Sequence, residues 1–208
     1  MEFLRKTIIV FAASLLGLIN VHAQTAEQMQ KAFKDSYANE LKGNYTGAIA
    51  DLQKVYKADS YESNLRIGWL YYAAKNYFVS MDYYQKAIDL KKFSVEARLG
   101  YIAPANEAKQ YEKVYQKYEE ILKIDPYNSV ANYWVGVSYY NIKKYDVAAK
   151  YFELVVNMYP FDYNANHMLA WTYLNLGKTG EAKMLFEKAL LNRPDDASAK
   201  EGWNKCKG

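Results

Sequence analysis

Apolar and polar residues along this chain alternate with the rhythm of helices. Over residues 129–141, Asn132, Val135, Gly136 and Tyr139 fall at steps of three, four and seven, which sets them on one helical face. A second stripe of the same stretch carries Val130, Tyr133, Val137 and Tyr140. The pattern predicts a helix from Ser129 to Asn141, packed along its first stripe. A second helix is expected to follow it through Tyr145, Tyr151 and Phe152. Single helices of about a dozen residues are marginal in water, so their apolar faces must be buried on neighbours.

The rhythm itself repeats every 34 residues. Pro126, Pro160 and Pro194 keep that spacing. So do Tyr77, Tyr111 and Tyr145, with Thr179 in the next slot, and so do Tyr84, Tyr118, Phe152 and Phe186. Ala87, Ile121, Val155 and Ala189 form a further set. Ser60, Ser94, Asn128, Asp162 and Asp196 differ chemically, yet each offers a side-chain oxygen to the free amides of a helix's first turn. A cap every 34 residues means a helix starting every 34 residues. Each interval holds a second break, as in Asn175-Leu176-Gly177-Lys178, so the unit is helix, short turn, helix.

These residues resemble the tetratricopeptide repeat, in which two antiparallel helices, A and B, carry small and aromatic residues at set positions. Gly68, Gly136 and Ala170 fill the small position of helix A, with Tyr71, Tyr139 and Tyr173 three residues later. Ser80, Ala148 and Ala182 fill the small position of helix B. The resemblance implies an all-α, right-handed superhelical solenoid of about five repeats: 27–60, 61–94, 95–128, 129–162 and 163–196. Residues 197–208 would supply a capping helix and tail, because solenoids need polar ends. The third repeat departs from the pattern: Gly100 stands two places early, Val114 replaces the usual Ala, and Pro104 is expected to kink helix A. The first repeat lacks the small–aromatic pair, and its register is open by a residue or two. Thr25 with Gln28 fits a capping box at its start.

In this family the second stripe of helix A lines a concave groove that binds partner segments. The matching positions give Leu65, Trp69 and Tyr72 in the second repeat. They give Tyr133, Val137 and Tyr140 in the fourth, and His167 and Trp171 in the fifth. Glu62 joins the second set, and the third repeat offers Glu96, Leu99, Ala103 and Asn106. Rigid rings bury much area at low entropic cost, which suits recognition. The same rings could instead pack on adjacent helices and finish the wall. The Lys and Asn pattern with which some relatives clamp a carboxylate is absent from these positions.

Composition narrows the functional classes. Tyrosine is abundant at 22, while 10 Gly and 4 Pro leave few breakers, which favours long helices. The formal charge of +4 comes from mixed lysines and glutamates without a basic block, so nucleic acid is not an expected partner. Arg5 and Lys6, an apolar run from Ile8 to Ile19, and Val21-His22-Ala23 read as a leader of 23 residues cut before Gln24. A membrane span needs about 20 apolar residues, so the mature chain is expected to be exported, periplasmic or secreted, without an integral membrane segment. Cys206 stands alone and cannot form an internal disulfide.

Catalytic chemistry finds no footing. His167 is the sole histidine after the leader and has no ligand spacing around it. GxSxG, GxxxxGK[ST] and GxGxxG are absent, as are cysteine clusters. Neither an enzyme nor a bound metal or cofactor is expected. The leading expectation is an exported interaction scaffold or adaptor that binds a protein or peptide segment. Two rivals are glycan or peptidoglycan binding through the same rings, and service as an accessory subunit of an envelope enzyme.

Overall fold

The computed structural model describes residues 26–207, and all regular structure among them is helical. The expected leader and its expected cut before Gln24 lie outside the described residues, as does Thr25 of the expected capping box. Helix α1 spans 26–40 and α2 Tyr45–Gln53. The A helices that follow are α3 (Tyr61–Ala73), α5 (Val95–Glu107), α7 (Ser129–Asn141) and α9 (Tyr163–Asn175). They alternate with the B helices α4 (Tyr77–Leu90), α6 (Tyr111–Ile124), α8 (Tyr145–Met158) and α10 (Thr179–Asn192). The last, α11, covers Ala197–Lys205. The fold is an all-α solenoid of repeated helix–turn–helix units. No helix among the described residues is long and apolar enough to cross a membrane.

Local chemistry explains both kinds of boundary. Every A helix from α3 onward, and α11, opens on a side-chain cap. Ser60, Ser94, Asn128, Asp162 and Asp196 accept from the amides of Ser63, Ala97, Ala131, Ala165 and Ala199 at 2.7–3.1 Å. The A-to-B turns work differently. After α7, Lys143 adopts φ 61° and donates its amide to the Tyr140 carbonyl at 2.9 Å, while the Lys144 amide reaches the Tyr139 carbonyl at 3.0 Å. That pair of bonds is a Schellman closure. Lys75, Lys109 and Gly177 hold the same left-handed position at intervals of 34. Gly43 precedes Lys75 by only 32, so the first repeat is two residues short, which settles its open register.

The chain divides into two compact units, up to Ala108 and from Lys109 onward. In the first, Ala48, Ile49, Leu52, Ile67 and Leu70 form the core, with Phe33, Tyr45, Tyr56, Tyr71 and Tyr83 packed around it. In the second, Phe152 and Phe186 are fully buried among Ala148, Ala170, Ala182 and Ala189. The small positions let A and B helices close up. Ser80 Oγ donates to the Gly68 carbonyl at 2.7 Å, and Ala148 and Ala182 are fully buried.

Gly100 corrects the sequence reading. It is not a displaced copy of the small helix A position but serves the other side of the same ring. Tyr84 of α4 lies between Gly68 of its own repeat and Gly100 of the next, and a Cβ on Gly100 would meet the ring at 2.2 Å. Gly202, three periods later, stands in the same relation to Phe186, at 2.1 Å. Between them the position carries Trp134, stacked on Tyr118 at 6.4 Å, and Met168. Pro104 lies buried inside α5, which runs on past it to Glu107.

Candidate functional site

In the first unit, α1, α3 and α5 enclose an open groove of about 610 Å³. Glu62, Leu65 and Trp69, on the second stripe of α3, line it, and Glu96 comes from α5. Trp69 is 43% exposed although it sits mid-helix. Its indole Nε1 donates to Glu40 Oε1 at 2.5 Å, and its ring lies 5.7 Å from Tyr72. Tyr72 therefore braces Trp69 rather than lining the groove, and packs in turn against Tyr77 at 6.1 Å.

Sequence reasoning missed the α1 wall. Phe33 and Tyr37 line the groove opposite α3. Glu40, on the same stripe of α1 at steps of four and three, pairs with Arg66 and anchors Trp69. The Arg66 guanidinium also lies flat over Tyr37, 4.0 Å from the ring centre. Hydrogen bonding from Arg66 holds the Glu40 carboxyl below its ordinary range, with burial pulling the other way. The helical spacing of Phe33, Tyr37 and Glu40 could have revealed this wall. It went unread because the first repeat lacks the small–aromatic pair that sets the register elsewhere.

The second unit treats its expected residues unequally. Val130 and Tyr133 border a depression of about 370 Å³ with Trp134 and Tyr159. Tyr133 also meets Phe152 edge-on at 5.9 Å. Val137 is half-buried against the core. Tyr140 is half-buried as well, its ring edge-on to Tyr145 at 5.3 Å and its hydroxyl accepting from Asn175 at 3.3 Å. His167 and Trp171 are drawn into a polar knot. Trp171 Nε1 lies 3.1 Å from both His167 Nε2 and Ser198 Oγ of α11, and those two are 3.0 Å apart. Trp171 meets Phe186 edge-on at 5.3 Å, and Lys205 of α11 stands 5.1 Å from its ring centre. Tyr163 stacks on His167 at 5.3 Å. Burial holds His167 below the ordinary histidine value, Arg193 adding to the effect and Asp196 opposing it.

One buried feature had no sequence signal beyond its spacing. Asn64, Asn132 and Asn166 each donate to two carbonyls of the preceding turn, at 2.7–3.1 Å. They clip each turn to the helix it starts. No cluster of three or more metal-ligating side chains occurs among the described residues. Cys206 is half-buried, its Sγ 3.2 Å from the Gly202 carbonyl, and burial raises its thiol above the usual range.

Family models described as tetratricopeptide repeat match residues 41–95, 130–162 and 163–196, together more than half of the chain. No curated protein matches. Among solved structures, a crystal structure of MamA protein is 21% identical with a TM-score of 0.67, covering 83% of this chain and 95% of its own. A tetratricopeptide repeat protein from Parabacteroides merdae ATCC 43184 is 17% identical with a TM-score of 0.72, covering 86% of this chain and 72% of its own. Likeness at such identity concerns the fold.

Proposed function

The chain belongs to the tetratricopeptide-repeat family, and we propose that it is a non-catalytic interaction scaffold of the cell envelope. In this reading the leader is removed before Gln24, and the exported chain holds a segment of a partner protein in the α1–α3–α5 groove. The single observation that carries the reading is Trp69. A large ring is left exposed in an open groove, on the helix stripe through which the family binds partners, with its indole already fixed by Glu40. A ring held in place before the partner arrives loses little freedom on binding, which makes it a good anchor.

Capture from envelope extract, followed by mass spectrometry, tests this with wild type and Trp69→Ala side by side. The expected result is a defined protein partner whose recovery falls at least tenfold in Trp69→Ala, with far-ultraviolet circular dichroism unchanged. Retention on peptidoglycan with no protein partner would overturn the scaffold reading. N-terminal sequencing of the exported chain tests the leader, and a start at Met1 would remove that part of the proposal.

A further inference from the structure

Resting on the groove assignment above, we propose that the segment held in the first unit carries a lysine or arginine beside a large apolar residue. The walls are aromatic and aliphatic: Phe33, Tyr37, Leu65 and Trp69. Their charge decides the rest. The one cation among the lining residues, Arg66, is already committed to Glu40 and to the face of Tyr37. Two carboxylates remain, Glu62 on α3 and Glu96 on α5. Both are exposed, both line the groove, and neither forms an ion pair among the described residues.

These carboxylates are held in place. Glu96 accepts from the Tyr61 hydroxyl at 2.8 Å, and that hydroxyl is itself 2.8 Å from Ser94 Oγ. Glu62 accepts from Ser60 Oγ at 3.3 Å. Fixed carboxylates next to open ring faces make a cation site, since ammonium and guanidinium groups gain from both. The protein already uses that chemistry nearby: Lys91 Nζ sits 5.7 Å from the Tyr61 ring centre. Lys34 of α1 lines an adjoining hollow that Glu62 shares, but it does not line the groove itself, where Glu62 and Glu96 face a single, already paired cation. An acidic segment would meet two like charges there, and a purely apolar one would leave them unused.

A phage-displayed library of random dodecapeptides, selected on the full-length protein, tests the proposal. Selected clones are then measured as synthetic, end-capped peptides against wild type, Trp69→Ala and the double variant Glu62→Gln with Glu96→Gln. Glutamine keeps both hydrogen-bond acceptors, so folding is preserved. The expected binders carry Lys or Arg beside Leu, Phe or Trp and lose binding in Trp69→Ala. They weaken about tenfold in the double variant and weaken again as salt rises, because a screening length near 10 Å at 0.1 M reaches exposed charges. Binders that need Trp69 but are acidic or uncharged, and bind the double variant equally well, would overturn the charge preference and leave the groove assignment standing. Binders indifferent to Trp69→Ala would overturn the groove assignment itself.

Discussion

Trp69 and Trp171 occupy the same helix A position three periods apart, yet they live in opposite surroundings. Trp69 looks into an open groove, tied back to α1 by Glu40. Trp171 is half-buried and pinned by groups that come from its own helix α9 and from α11. The equivalent positions explain the difference. Where Trp171 has His167 beside it, Trp69 has Leu65, which offers no hydrogen bond. Where α11 brings Ser198 and Lys205, α5 brings Glu96 and Ala103. A repeat places its ring; the side chains of the following helix decide whether that ring stays open.

Breaking the cover over Trp171 has the largest expected effect. Phe186 is fully buried and carries Trp171 edge-on, so Phe186→Ala should cost about 3–5 kcal/mol. A gentler route leaves Phe186 in place. Gly202→Val would push side-chain atoms into the Phe186 ring and lift α11, at about 1–3 kcal/mol. Urea melts give both costs, and ¹⁹F spectra of 5-fluorotryptophan protein report Trp171 separately. In Gly202→Val the Trp171 resonance should move toward the solvent exposure of Trp69. If it does not, α11 is not what covers the ring.

Direct truncation separates the two rings next. Trp171→Ala removes contacts with Phe186 and leaves His167 and Ser198 short of a donor, an expected cost of about 2–3 kcal/mol. Trp69→Ala gives up one hydrogen bond and a tilted contact with Tyr72, about 1 kcal/mol. Melts of both variants check the ratio. Equal losses would make the two rings equivalent structural parts and end the contrast.

Much of this architecture was legible in the sequence. The caps Ser60 to Asp196 and the span Ser129–Asn141 stand where the 34-residue period put them. That period records a recurring contact, a large ring of helix B against a small residue of helix A. It is written in the second, fourth and fifth repeats as Tyr84 with Gly68, Phe152 with Gly136 and Phe186 with Ala170. The left-handed turn position carries the glycine that announces it only at Gly43 and Gly177. At Lys75 and Lys143 the Schellman bonds hold a conformation lysine does not announce, and Lys109 adopts the same left-handed φ. The site was legible by halves. Leu65 and Trp69 could be placed from their own helix, whereas the burial of Trp171 depends on Ser198 and Lys205, residues outside its repeat. The α1 wall was hidden because Phe33, Tyr37 and Glu40 belong to a shortened repeat with no internal copy to compare.

Acid should take the two tryptophan sites apart in different pH windows. His167 has its folded pKa held below the ordinary 6.5 by burial, with Asp196 raising it and Arg193 lowering it. Below about 6.5 the unfolded chain binds a proton that the folded ring refuses. Stability is therefore full above that value and falls as pH drops through the lower folded value. Glu40 is likewise depressed, from an ordinary 4.5, by Arg66. Its contribution is full above 4.5 and is lost as pH falls through the folded value. Fluorine spectra recorded from pH 8 to 3 should show the Trp171 signal move first and the Trp69 signal second. His167→Gln should abolish the first step only. A single shared transition would mean that general acid unfolding, not these two groups, sets the response.

The smallest expected effect tests the cause of the contrast most directly. Ala103 occupies the position of Lys205, counted back three periods, and presents only a methyl group where Trp171 receives an ammonium. Ala103→Lys should bring a cation over Trp69 and stabilise the first unit by about 0.5–1 kcal/mol. It should also lower the exposure of Trp69, read from the H₂O–D₂O shift of its fluorine resonance, and weaken partner capture. Ala103→Met covers the ring without charge and separates the two causes. If methionine weakens capture as much as lysine, closing the groove is what matters; if only lysine does, the added positive charge repels the partner. Should neither variant change the exposure of Trp69, the openness of the groove is set by α1 through Glu40, and the side chains of α5 play no part in it.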